Sequence, residues 1–139
     1  MIQNYQLPTL RAAIDRIIPA DDFPSATQAG VDRYILAIFD RDRKPDALLF
    51  NEGLFALDEE AKIDGAISFD QSSTSIQDQI LDRVQQGITR AVWKSSAAAF
   101  FDLLLNLTAE GYFSDPANGG NRDAISWKMV GYDPWANRP

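Results

Sequence analysis

An all-α fold, an irregular bundle of five to six amphipathic helices, is predicted by three features of this 139-residue chain. Apolar residues recur three and four positions apart in successive stretches, the spacing that lines one face of a helix. Pro, Gly and Asp punctuate the gaps between those stretches. No window alternates apolar and polar residues over strand length. The single Asn-Gly pair, Asn118-Gly119, follows Pro116, which spoils an upstream strand. Residues 1–139 therefore read as a single helical domain with an extended tail over 132–139.

The first helix is expected over residues 9–18, where Leu10, Ala13, Ile14, Ile17 and Ile18 share a face. Thr9 suits its N-cap, and Pro19 stops it by disfavouring the helical conformation in the residue before it. Residues 19–24 form a turn that carries Asp21, Asp22 and an anchoring Phe23. A second helix follows over 26–41, with Val31, Tyr34, Ile35, Ile38 and Phe39 in register and Gly30 inside it or at its start. Pro45 opens a third over 45–62, whose apolar side is Leu49, Phe50, Leu54, Phe55 and Leu57. Residues 65–69 form a loop ending in a buried Phe69.

The fourth helix, over 73–86, shows Ile76, Ile80, Leu81, Val84 and Ile88, with Ser73 or Ser75 as cap and Gly87 at its end. The fifth, over 95–110, carries Phe100, Phe101, Leu103, Leu104, Leu105 and Leu107 around most of its circumference. Such a helix is either central to a core or covered by a second chain. Gly111 is expected to end it. Residues 112–122 read as loop. A short sixth helix over 123–130 holds Ile125, Trp127 and Met129 before Gly131.

Composition narrows the function. A chain of this length buries roughly 68% of the surface its unfolded form exposes, so it folds without a disulfide or metal. The net charge of −7 argues against nucleic acid and against an anionic membrane surface, both of which select clustered Lys and Arg. With no Cys there is no thiolate metal site, Cys nucleophile or iron–sulfur cluster. With no His, Ser-His-Asp triads and His-ligated haem are impossible within the chain. Acid–base chemistry would fall to carboxylates, Lys or Tyr. No stretch reaches the 18 or so apolar residues of a membrane span. Residues 1–10 show no basic region followed by an apolar run, so no signal peptide is visible. A cytoplasmic location, a leader already removed, and transport on another chain all remain open.

Few residue groups carry chemistry. Asp21 and Asp22 are adjacent, so their side chains diverge, and calcium asks for at least six oxygens; a solvated turn or cap is the plainer reading. Asp40, Asp42 and Asp46 lie among Arg41, Arg43 and Lys44 and read as a self-neutralising charged loop. The segment Asp115-Pro116-Ala117-Asn118-Gly119-Gly120-Asn121-Arg122-Asp123 is the most unusual. Its oxygens suggest a calcium loop, but the spacing is not that of an EF-hand and no Glu follows in register. Its glycines suggest a phosphate cradle, but neither the Lys-Ser/Thr ending of a phosphate loop nor the Rossmann fingerprint is present. A tight turn held by Asn and Arg side chains is the plainer reading. Tyr112, Phe113, Trp127 and Trp135 flank it, as core residues or as the raw material of a protein–protein hot spot.

Three sets of residues resemble a known family. The chain opens with Ile17-Ile18-Pro19-Ala20-Asp21-Asp22-Phe23-Pro24, followed by Ala29-Gly30-Val31 and Tyr34-Ile35. Gly53-Leu54, Leu57-Asp58 and Phe69 lie in the middle. Gly111-Tyr112-Phe113-Ser114-Asp115-Pro116, Gly119-Gly120-Asn121-Arg122 and Trp127-Lys128-Met129-Val130-Gly131-Tyr132 close it. Together, over about residues 10–132, they resemble the gluconate 2-dehydrogenase subunit 3 (small subunit) family. The resemblance implies a helical, non-catalytic small subunit that assists maturation, export or stability of a large FAD-binding dehydrogenase subunit acting on a sugar or sugar acid. It implies a cytochrome c subunit beside them, with FAD and haem c held by those partners and no cofactor or metal in this chain. A periplasmic location follows from the same resemblance, commonly through a twin-arginine leader, and this sequence shows no twin Arg. The family supplies no catalytic residues to carry over. The partner surface is expected at Tyr112, Phe113, Asn118, Gly119, Gly120, Asn121, Arg122, Trp127 and Trp135. The alternatives are a stand-alone small-molecule-binding or carboxylate-dependent helical protein, and a helical protein with a calcium ion in its 115–123 loop.

Overall fold

A computed structural model describes residues 2–41 and 44–114. The described residues form a short 3-10 turn, Asn4–Gln6, and five α-helices: α1 (Leu7–Ile17), α2 (Val31–Arg41), α3 (Lys44–Ile63), α4 (Thr74–Gln86) and α5 (Ala97–Phe113). No strand occurs among them, so the chain is all-α, as its periodicity predicts. The expected sixth helix over 123–130 and the tail over 132–139 lie outside the described residues.

α1 begins two residues earlier than its expected cap. Gln3 and Gln6 form a reciprocal capping arrangement ahead of it, in which the Gln3 N–H donates to Gln6 Oε1 at 2.8 Å, and Pro8 occupies the first turn. Thr9 is thus inside the helix, where its hydroxyl donates to Asp58 Oδ1 of α3 at 2.9 Å. Gln6 is buried too, and its amide donates to the backbone and side-chain oxygens of Asn51 at 3.2 and 3.1 Å.

The expected second helix is split. Residues 26–30 make one turn, opened by reciprocal hydrogen bonds between Ser25 and Gln28. Gly30 then takes a φ of 84°, a left-handed conformation that ends a helix. The Gly30 N–H donates to the Thr27 carbonyl and the Val31 N–H to the Ala26 carbonyl, both at 3.0 Å. α2 starts afresh at Val31.

α3 and α4 lie within a residue of their expected bounds. Phe50, Leu54, Leu57 and Ala61 of α3 face the core. Phe55 does not share that side, contrary to its sequence assignment, and is 53% exposed. The expected 65–69 loop lies in the 64–73 link and has Phe69 buried, its N–H bonded to Asp58 Oδ1 at 2.9 Å and its carbonyl to the Gln77 amide at 2.9 Å. Ser73 caps α4 by accepting from the Ile76 N–H, and Gly87 closes it at φ 75°. Ile88 falls beyond that end and is exposed, not part of the helix face.

α5 is the central element and packs against the other four helices. Ser96 caps it, with Oγ accepting from the Ala99 N–H at 3.1 Å. Gly111 does not end it. The helix runs on to Phe113, and Gly111 lets it press against α2: a Cβ there would lie 2.9 Å from Tyr34 Cδ2 and 3.0 Å from Val31 Cγ1. An aromatic series joins the middle of the bundle, Phe39 to Phe50 at 5.0 Å, Phe50 to Phe100 at 5.5 Å and Phe100 to Trp93 at 5.7 Å between ring centroids.

Candidate functional site

The outer side of α3 is the least ordinary surface of the described residues. Its inner side fills the core, yet Leu48, Phe55 and Ile63, spaced seven and eight residues apart along the helix, are 68%, 53% and 50% exposed. Residues at such spacing share a face. Beside them runs the segment that links α4 to α5, from which Val92 projects at 89% exposure. Between helix and segment lies a groove of about 740 Å³. Phe55, Ala56, Ile63, Ala91 and Val92 give it apolar surface. Glu52, Glu59 and Lys62 of α3 line it, with Arg90 and Lys94 from the linking segment.

A buried carboxylate holds the second wall in place. Glu60 is 1% exposed and sits one turn from Ala56 on α3. Its Oε2 accepts from the Arg90 N–H at 3.1 Å, the Ala91 N–H at 2.7 Å and the Trp93 indole N–H at 3.1 Å. Three donors converge on one charge, so the 90–93 backbone is pinned by groups that would otherwise need water. Arg90 also reaches outward, with Nη2 2.8 Å from Asp64 and Nε 3.9 Å from Glu60. Trp93 packs inward on Phe100 with the rings tilted by 53°, and Phe100 in turn lies against Gly53 of α3. A Cβ at Gly53 would overlap the Phe100 ring, so the absence of a side chain lets the ring pack directly on the helix backbone. The segment without regular structure is thereby fixed at both ends of its Trp93 side chain.

Most groove charges already have neighbours. Lys62 Nζ lies 2.9 Å from Glu59 Oε2, and that carboxylate holds the ammonium above its ordinary pKa. Ser95 Oγ donates to Glu52 Oε2 at 3.1 Å. Lys94 makes no ion pair among the described residues and is exposed. Buried and committed to the donors of the 90–93 segment, Glu60 acts as a structural anchor.

The residues expected to form a partner surface are only partly placed. Tyr112 is 1% exposed and lies in the core, with its hydroxyl donating to the Pro24 carbonyl at 2.8 Å. Burial raises its pKa, and the nearby charge of Asp21 adds to the rise. Phe113 meets it edge-on at 5.4 Å and is half exposed. Asn118, Gly119, Gly120, Asn121, Arg122, Trp127 and Trp135 lie outside the described residues, as does the 115–123 loop. Asp21 forms a local turn, its Oδ1 accepting from the Phe23 N–H at 2.9 Å, and Asp22 is exposed. Asp40 is exposed, Asp46 is partly buried, and Asp42 lies outside the described residues. Among the described residues, no group of three or more carboxylates is placed to hold a metal ion.

With this geometry in view, the sequence matches the family model described as gluconate 2-dehydrogenase subunit 3 over residues 4–134. The chain belongs to the gluconate 2-dehydrogenase subunit 3 family. No curated protein and no solved structure matches it. Membership in the subunit 3 family implies partners, because such a chain is one subunit of a multi-subunit gluconate dehydrogenase. No helix among the described residues of this subunit 3 chain is long and apolar enough to cross a membrane.

The groove was not legible as a site in the sequence. Phe55 stands directly beside Leu54 and two residues from Leu57 in one apolar run, and Val92 falls in the stretch between two expected helices. The one available signal was that α3 carries apolar residues on two faces, Leu54 and Leu57 on one and Leu48, Phe55 and Ile63 on the other.

Proposed function

We propose that this chain is the non-catalytic small subunit of an FAD-dependent, gluconate 2-dehydrogenase-like complex that oxidises a sugar or sugar acid. It assists maturation, export or stability of the flavoprotein subunit. The observation that carries this reading is the family match across residues 4–134. The chemistry of the chain agrees with it. There is no imidazole or thiol anywhere in the sequence, and the most buried carboxylate among the described residues, Glu60, is consumed by structural hydrogen bonds. Exposed apolar side chains on the outer face of α3 offer a contact surface of the kind that a partner protein covers.

FAD then belongs to the large subunit and haem c to a cytochrome c subunit, and the complex works in the periplasm. The test is co-expression with the flavin-binding dehydrogenase encoded beside this chain, followed by size-exclusion chromatography. The two chains are expected to migrate as one complex, and the flavoprotein made without its small subunit is expected to yield less soluble, FAD-loaded protein. A flavoprotein that never comigrates with this chain, and matures equally well without it, would remove the reading.

A further inference from the structure

The groove between α3 and the 88–95 segment has a composition that selects its occupant. Resting on the subunit reading above, we propose that it seats one amphipathic helix of the flavoprotein subunit. That helix presents an apolar stripe to the groove and an acidic flank to the 88–95 wall.

Shape is the first reason. From Asn51 to Ile63 the groove follows α3 for about 18 Å, or more than three helical turns. Spread over that length, 740 Å³ is an elongated trough, so the occupant lies along it and inserts its apolar stripe. Helix-in-groove recognition uses anchors at this repeat.

Charge is the second reason. On the α3 wall Glu59 is paired with Lys62 and Glu52 with Ser95, while the other wall carries Arg90 and Lys94, with Phe55 and Val92 exposed between them. Lys94 has no ion-pair partner among the described residues and stands ready for a carboxylate. A second copy of this chain fits poorly. In a second copy the α3 carboxylates that would have to meet Lys94 are already engaged, Glu59 by Lys62 and Glu52 by Ser95. A small molecule fits poorly as well. The groove is open along its length, and its polar groups pair with one another instead of converging on a point.

Preorganisation is the third reason. A loop that had to be ordered on binding would weaken association. Here Glu60 has already fixed the 90–93 backbone, so Val92 projects from a rigid wall.

Site-specific photocrosslinking tests the assignment. Val92 is replaced by p-benzoylphenylalanine in the full chain, co-expressed with the flavoprotein and irradiated. The cross-linked peptide is expected to come from a flavoprotein helix with acidic residues beside an apolar stripe. In parallel, V92D and F55D should each weaken the complex at least about tenfold, as expected for loss of an apolar anchor. Their circular dichroism and melting should match the wild type, since both side chains are exposed. K94E should weaken binding less, and its effect should shrink as salt is added. Cross-links to a second copy, or to residues 115–139 of the same chain, overturn the proposal. So does wild-type affinity in both V92D and F55D. A wild-type chain that forms no complex at all sinks the subunit reading together with this one, whereas a complex indifferent to these substitutions sinks only this one.

Discussion

Replacing Glu60 with alanine removes the acceptor for the Arg90, Ala91 and Trp93 N–H groups in one step. Hydrogen bonds to a charged acceptor contribute about 1.5–3 kcal/mol each, but these three share one oxygen and the freed segment can turn toward water. Leaving buried donors without an acceptor costs about 1–3 kcal/mol each, so about 3 kcal/mol is the expected scale for E60A. E60Q separates charge from shape. Its carbonyl oxygen can replace Oε2 and still accept from all three donors, while its amide group replaces Oε1, 3.3 Å from the Arg90 N–H, and no longer attracts the guanidinium. We expect a loss of about 2 kcal/mol for E60Q, from one weakened cluster and no cavity. Urea unfolding followed by circular dichroism measures both, provided the slope with denaturant is unchanged. Indole fluorescence adds a local readout, because Trp93 loses its hydrogen-bond partner in E60A. If E60A falls within about 0.5 kcal/mol of the wild type, the variation usual for surface changes, Glu60 does not anchor the 88–95 wall and the preorganisation argument fails.

G53A should destabilise the fold although alanine is the better helix former. Propensity favours it by about 1 kcal/mol, yet the new methyl would overlap a Phe100 ring already flanked by Phe50 and Trp93. Overpacking of this kind costs typically about 1–3 kcal/mol, so a lower urea midpoint is expected and a raised one contradicts the packing described. The α1–α4 pair gives a pH test. Arg16 meets Asp78 through two hydrogen bonds, 2.8 and 3.0 Å, which depress the Asp78 pKa and raise that of Arg16. The stabilisation is present above the unfolded carboxylate value of about 3.9 and is lost as pH falls through the lower folded value. Asp78 is half exposed, so a double-mutant cycle with R16A and D78A should show only about 0.5–1 kcal/mol at neutral pH, vanishing in acid.

Apolar periodicity made the helices legible because each one buries a single stripe. α4 shows this best, with its Ser73 cap and Gly87 stop both in place. Boundaries failed where a competing device was available. The Gln3–Gln6 arrangement and Pro8 start α1 ahead of Thr9, whose hydroxyl is committed to Asp58. Gly30 breaks the second helix because it adopts a left-handed turn, while Gly111, the same residue type, stays helical because Tyr34 and Val31 press on it. Sequence reasoning assigns both glycines by type, and only tertiary contact separates them. The groove was hidden for a related reason. Phe55 is one position from Leu54, and a shift of one residue on a helix turns a core position outward. Glu60 was equally silent, since its three donors come from residues about thirty positions away with no periodic pattern.

The most direct test of the account is backbone hydrogen exchange in the small subunit with and without its flavoprotein. Contact through the α3 groove predicts slower exchange in residues 88–95 when the partner is added, and little change in α1. Exchange that is identical across the whole chain, at partner concentrations that saturate any complex, would contradict the claim that this chain works by touching another protein.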